Sequence, residues 1–243
     1  MTDAPTELVH YAVSDAVATI TLDSPANRNA LSRQLVTELF AHLERAGADD
    51  DVRVVLIESS GKVFCSGADL TEASAEGMEA GTRRIVDLQR LVATLDKPVV
   101  TKNLGAVRAG GIGIVAAADI AVSAEGATFA LTEVKLGLAA AIISITVHHR
   151  MSPRAAALTT LGGEVFTGTE AAAYGLARRP SPRTGSTRRS PRSARAWPPA
   201  PRRGCASPSA SSTATWSRAS TRWARRWPRR ARGSSPATRR ARR

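Results

Sequence analysis

The sequence predicts an α/β protein over residues 1–176 and a low-complexity, basic, disordered tail over residues 177–243. Three observations predict this. Short segments in which apolar residues alternate take turns with longer segments in which they recur every three or four positions, which is how parallel strands joined by helices read. All 21 acidic residues lie before position 177, beside 14 basic ones, for a net charge of −7. The remaining 67 residues hold 20 Arg, no Asp, Glu or Lys, and no aliphatic side chain larger than Ala.

The elements follow in order. Residues 7–13 (LVHYAVS) and 16–23 (AVATITLD) alternate and read as two strands joined at Asp15. Pro25 to Asn29 reads as a loop. Ser32 can cap a helix over 33–46, with Leu35, Leu39, Phe40 and Leu43 on one face and Gly47 ending it. Residues 53–58 (RVVLIE) read as a buried strand and Gly61 to Leu70 as a glycine-containing loop. Residues 78–95 are helical, with Ile85, Leu88, Leu91, Val92 and Leu95 as the apolar stripe. Pro98 opens the strand VVTKN. Gly105 to Gly113 reads as a glycine-rich loop running into the small helix IVAAA. Short strands at 119–123 and 127–130 precede helices at about 141–150, 153–161 and 169–175. No internal period of 20–50 residues is evident.

The formal net charge of +13 would point to nucleic acid or an anionic membrane if it were spread over a folded domain. It is the average of an acidic body and a +20 tail, so no specific nucleic-acid partner is expected. No apolar run approaches the roughly 18 residues that span a bilayer, and residues 1–10 lack the basic and apolar regions of a secretory signal. Two cysteines, Cys65 and Cys205, make no disulfide framework. A cytoplasmic protein without a metal is the expectation.

Four segments carry the chemistry. They are Pro25-Ala-Asn-Arg-Asn-Ala-Leu-Ser32; Lys62-Val-Phe-Cys-Ser-Gly-Ala-Asp-Leu70; Lys97-Pro-Val-Val100 running through Arg108-Ala-Gly-Gly111 to Ala118-Asp-Ile-Ala-Val122; and Phe129-Ala-Leu-Thr-Glu133 with Leu136-Gly-Leu138. Each alone is a weak signal. In this order and spacing the set resembles the crotonase (enoyl-CoA hydratase/isomerase) superfamily over about residues 7–176. The resemblance implies a spiral of ββα units, an acyl-CoA thioester as substrate, and no cofactor, since coenzyme A enters as part of the substrate. It also implies a homotrimer or hexamer, and CoA contacts from Arg28, Ala30, Ala68, Leu70 and Gly111.

Chemistry beside a thioester needs an enolate-like oxyanion to be stabilised, and two pre-oriented backbone N–H groups in a dry site do this well. A Gly-Ala-Asp turn can present one from Ala68. A Gly-Gly pair opening a helix can present the other from Gly110, with the helix dipole behind it, and glycines at 110 and 111 would let substrate approach the backbone closely. By resemblance Ala68 and Gly110 form the oxyanion hole; the plainer reading is two ordinary turns. The family often sets two carboxylates beside the hole. One follows the Phe-x-x-x strand and is Glu133 here, the candidate general acid/base, against a plain reading as a solvated glutamate. The position of the other is occupied by Gly113, which has no acid.

Hydration of a C=C bond uses two acids comfortably, whereas moving a double bond needs one base shuttling a proton. The resemblance of Arg-Ala-Gly-Gly-x-Gly to a branch usually called enoyl-CoA hydratase puts hydration first, with Δ3,Δ2-enoyl-CoA isomerase as the alternative. Arg108 reads as an exposed cation or as a partner for a distal acyl carboxylate. Two rival sites stand on less. Gly111-Ile-Gly113-Ile-Val-Ala116 mimics a dinucleotide fingerprint, but no strand is expected to run directly into Gly111. Cys65 with His148 or His149 could form a thiol and base, although Cys65 reads as packed and the adjacent histidines as a helix end.

Residues 177–243 use only Arg, Ser, Ala, Pro, Thr, Trp, Gly and Cys. Every codon for these has G or C at its second position, as a GC-rich gene yields when read one base out of phase. A frameshift near Ala177 is therefore expected, in the gene or in its recorded sequence; a true RNA- or DNA-binding tail is the rival reading. The family normally continues with helices that cover the acyl pocket, contact CoA and build trimers. The chain as written is expected to bind acyl-CoA weakly, with impaired catalysis, and to assemble poorly.

Overall fold

The computed structural model describes residues 6–72 and 78–178, all within one unit, Met1–Gly185. The basic tail expected over 177–243 lies, beyond Arg178, outside the described residues.

Strands β1 (Val9–Ser14) and β2 (Val17–Leu22) form an antiparallel hairpin. Its turn is Asp15 and Ala16, both left-handed with φ of 52° and 61°, the pair that matches the twist of the flanking strands. β2 pairs in parallel with β3 (Val54–Ser59), β3 with β5 (Val99–Asn103), and β5 with β7 (Ile120–Ser123). Alternate residues of β2, β3 and β5 are buried, which is the period of two read from the sequence.

A second sheet has the order β4 (Val63–Cys65), β6 (Ala106–Arg108), β8 (Thr128–Ala130) and β9 (Phe166–Thr167). Successive strands alternate between the sheets: β3 then β4, β5 then β6, β7 then β8. Each ββ step winds the chain once, giving the expected spiral. β4 and β6 lie where the sequence suggests only glycine loops, because three residues are too few to show a period. Pairing across the second sheet holds them. β6 also leads toward Gly111, so a short strand does precede the dinucleotide-like stretch.

Helix α1 (Arg33–Ala48) is capped by the Ser32 hydroxyl, which accepts from the Leu35 N–H at 3.3 Å. It runs past Gly47 instead of stopping there. The Lys97 ammonium donates to the carbonyls of Ala46 and Asp49 and so completes the helix end, while Gly47 gives room to Leu95, whose Cδ1 would lie 3.0 Å from a Cβ at that position. Helix α2 (Met78–Thr94) carries Ile85, Leu88 and Val92 into the core. Helix α3 (Gly110–Ala117) is buried on every side and packs against α2, α4 (Ala141–Arg150), β4 and β6. An apolar helix with no polar face belongs at the centre of a domain. Helices α5 (Pro153–Gly162) and α6 (Gly168–Tyr174) end on left-handed Gly163 and Gly175. No helix among the described residues is long and apolar enough to cross a membrane.

Candidate active site

Two tight turns meet at the N-terminus of α3. In the first, Gly67 has φ 99° and precedes Ala68; in the second, Ala109 has φ 46° and ψ −120° and precedes Gly110. A Cβ on Gly110 would lie 3.9 Å from the Ala68 nitrogen, and one on Gly67 would lie 3.6 Å from the Gly110 nitrogen. The two N–H groups are thus neighbours. Neither donates to another group among the described residues. A non-glycine residue in Ala109's conformation costs about 1–3 kcal/mol and persists only where surrounding structure enforces it.

The first turn is held by the loop at 24–32. Leu31 N–H donates to Gly67 O at 2.8 Å, Ser66 N–H to Arg28 O at 3.1 Å, and the Asn29 amide to Val63 O at 2.8 Å. Asn27 Nδ2 donates to Asp69 Oδ2 at 2.6 Å, while Asp69 Oδ1 accepts from the N–H groups of Thr71 and Glu72. The Asn27 hydrogen bond, ahead of these two, holds the Asp69 carboxyl below its ordinary range.

Glu133 stands on a 3-10 turn, Thr132–Leu136, whose end is closed by left-handed Gly137; its carbonyl accepts from the N–H groups of Gly137 and Leu138. Its Oε2 is buried without a partner. Burial pushes the carboxyl above its ordinary range, only partly offset by its own backbone N–H.

Glu133, Ala68, Gly110 and Leu70 all line one cavity of about 240 Å³. Its remaining wall is largely apolar, with Leu31, Ile85, Leu136, Leu138, Ala139, Ile142 and Ile143. This brings the candidate oxyanion donors and the candidate acid/base to one largely apolar cavity, where preoriented dipoles act more strongly than in water. Arg28 and Ala30 lie on the adjoining loop, the first exposed and the second buried, and neither lines the cavity.

Two glycines make room for neighbouring side chains. A Cβ on Gly111 would meet Cys65 Cβ at 2.7 Å, so its smallness serves the packing of α3 on β4, while Gly110 alone lies at the cavity. A Cβ on Gly113 would meet Ile143 Cγ2 at 2.6 Å and Gln89 Oε1 at 2.8 Å. The position that lacks an acid is thus filled from outside. Gln89 was not singled out from the sequence. The available signal was a polar residue four positions after Ile85 and three before Val92, on the apolar stripe itself.

Arg108 is half-buried, and its guanidinium donates to Thr128 O at 2.7 Å, Thr128 Oγ1 at 3.0 Å and Val107 O at 3.0 Å. It ties β6 to β8 and does not line the cavity. Cys65 is fully buried, with its thiol pushed up to about 12 by desolvation. A thiol so poorly ionised is no nucleophile. His148 and His149 close the last turn of α4.

A sequence model described as Enoyl-CoA hydratase/isomerase matches residues 12–208. The Thermus thermophilus protein named "Putative enoyl-CoA hydratase" is 36% identical over 172 residues, covering 68% of each chain. A crystal structure of an enoyl-CoA hydratase from Mycobacterium avium is 42% identical with a TM-score of 0.67, covering 72% of this chain and 70% of that one. (E)-Benzylidenesuccinyl-CoA hydratase of Thauera aromatica is 30% identical over 168 residues, covering 68% of this chain and 66% of the other.

Proposed function

The chain belongs to the enoyl-CoA hydratase/isomerase family, and from that premise we propose that it is a hydratase-type lyase acting on 2-enoyl-CoA thioesters. The observation that carries the reading is Glu133 Oε2, buried and unpartnered, on a residue that lines the same cavity as Ala68 and Gly110 with their free N–H groups. The thioester oxygen accepts from these two N–H groups, which stabilise the enolate as charge develops. Glu133 takes a proton from water, whose oxygen bonds to Cβ. The electron pair of the C=C bond moves to Cα and the thioester oxygen, and Glu133 returns the proton to Cα. Coenzyme A enters with the substrate, so no resident cofactor is needed. The CoA moiety is read as lying along Arg28, Ala30, Ala68 and Leu70.

A second reading, Δ3,Δ2-enoyl-CoA isomerase, is favoured by the filled space at Gly113. There Glu133 would remove a proton from one carbon of a 3-enoyl chain and return it two carbons away, with no water. Spectroscopic assays of the conjugated thioester separate the two. Absorbance lost from crotonyl-CoA supports hydration, absorbance gained from a 3-enoyl-CoA supports isomerisation, and neither signal from folded protein overturns both.

A further inference from the structure

Gln89 is almost wholly buried, at 4% exposure. Its Nε2 donates to Ile85 O at 3.1 Å on its own helix and to Ile142 O at 3.3 Å on α4. Its Oε1 accepts from the Thr146 hydroxyl at 2.8 Å, one turn further along α4. The amide is thereby satisfied on both sides, as a buried polar group must be, and it fixes α4 against α2. The side chains of Ile142 and Ile143, on the fastened turn, form part of the cavity wall. Directly opposite is Gly113, whose missing side chain would collide with both Gln89 and Ile143.

We propose that Gln89 is a positioning residue that closes the volume beside Gly113 and thereby makes this a one-carboxylate site. The inference rests on the reading of the cavity as an enoyl-CoA site. Two effects combine in it. The amide occupies space that a side chain at 113 would need, and its bond to Ile142 O keeps Ile143 from withdrawing. A carboxylate introduced at 113, and the water such a carboxylate would hold, are both excluded while Gln89 is present. An Ala at 89 removes the obstruction and the pin together. A Met at 89 removes the pin but still fills the space.

The test compares the full chain with Gly113→Glu, Gly113→Glu/Gln89→Ala and Gly113→Glu/Gln89→Met, reading the ratio of crotonyl-CoA hydration to 3-enoyl-CoA isomerisation. The Ala double variant is expected to raise that ratio by about tenfold or more over Gly113→Glu alone, the scale of one added acid, while the Met variant does not. Equal ratios in all three overturn the proposal, because a merely structural glutamine would not move the partition. A thermal cycle stands apart from activity. Gly113→Ala is expected to lower Tm by about 5 °C when Gln89 is present, as overpacking does, and by less than half of that shift beside Gln89→Ala. The same loss in both backgrounds overturns the proposal even if no acyl-CoA turns over, whereas absent turnover with the thermal coupling intact counts against the enzymatic reading alone.

Discussion

The methyl group of Ala109 fills the empty face of Gly67: a Cβ on Gly67 would lie 2.8 Å from the Ala109 Cβ. Each of these two residues has positive φ and immediately precedes one of the candidate oxyanion donors. The juxtaposition fixes both N–H groups through one contact. It also couples two turns that are far apart in sequence.

Gly67→Ala is therefore expected to be costly, by about 2–4 kcal/mol from positive φ and collision together. Ala109→Gly is expected to raise stability by about 1 kcal/mol through relief of strain. In the double variant the collision disappears while the strain at 67 remains, so the two effects should not add. Denaturant unfolding of the four proteins checks the cycle; simple additivity contradicts the contact.

Replacing Glu133 with Gln keeps its shape and removes its ability to carry a proton. Turnover is expected to fall about 10²–10⁴-fold. Stability at neutral pH is expected to rise slightly, since an unpartnered buried carboxylate oxygen is no longer charged.

The raised affinity of Glu133 for its proton also sets a pH dependence. Between the ordinary carboxylate value of 4.5 and the higher folded value, the folded state binds more protons than the unfolded one, so stability falls as pH rises through that window. Below it the group is protonated in both states and the penalty vanishes. The Tm advantage of Glu133→Gln should thus be largest above that window, shrink as pH falls through it, and vanish below the ordinary value. An advantage that grows toward acid would contradict the assignment. Activity needing the carboxylate should rise with pH across the same window.

Asp69 follows Ala68, and Asp69→Ala removes the partner of Asn27 and the acceptor for the N–H groups of Thr71 and Glu72. The loop that presents the first donor should loosen, with kcat/KM reduced about tenfold by misplacement of that one donor. Asp69→Asn, which keeps an acceptor, should lose less. Steady-state kinetics of the pair test whether the loss comes from position or from charge.

Much of the fold was legible because α1 and α2 are long and striped, and because β2, β3 and β5 alternate cleanly. The second sheet was not, since β4, β6 and β9 are two or three residues long and exist through pairing between distant segments. At the site, Glu133, Ala68 and Gly110 were legible from motif order. Gln89 was hidden by its surroundings: a glutamine on an apolar stripe reads as an exception until Ile142 O and Thr146 are seen to meet it. The packing of Gly111 against Cys65 was not legible, because a helix-opening glycine can face either the substrate or the neighbouring strand.

The boundary near Ala177 remains a proposal about the gene, and DNA sequence across that codon tests it: a shifted frame that restores acidic and aliphatic residues supports it, and none doing so contradicts it. On the chain as written, Ile145, Leu158, Leu161 and Val165 are more than half exposed, apolar side chains that promote non-specific association when they lie uncovered. Size exclusion is expected to show poor assembly. A compact, stable trimer would contradict that expectation.

The most direct measurement is proton exchange. The full chain and Glu133→Gln are each incubated in D₂O with crotonyl-CoA and with a 3-enoyl-CoA, and deuterium in the acyl chain is followed by mass spectrometry. One carboxylate acting beside two backbone N–H donors predicts deuterium at Cα on hydration, and on isomerisation transfer of the substrate's own proton from Cα to Cγ with little deuterium gained, the rate of either reaction falling at least about 10²-fold in the Gln variant. Equal rates for both proteins would contradict it.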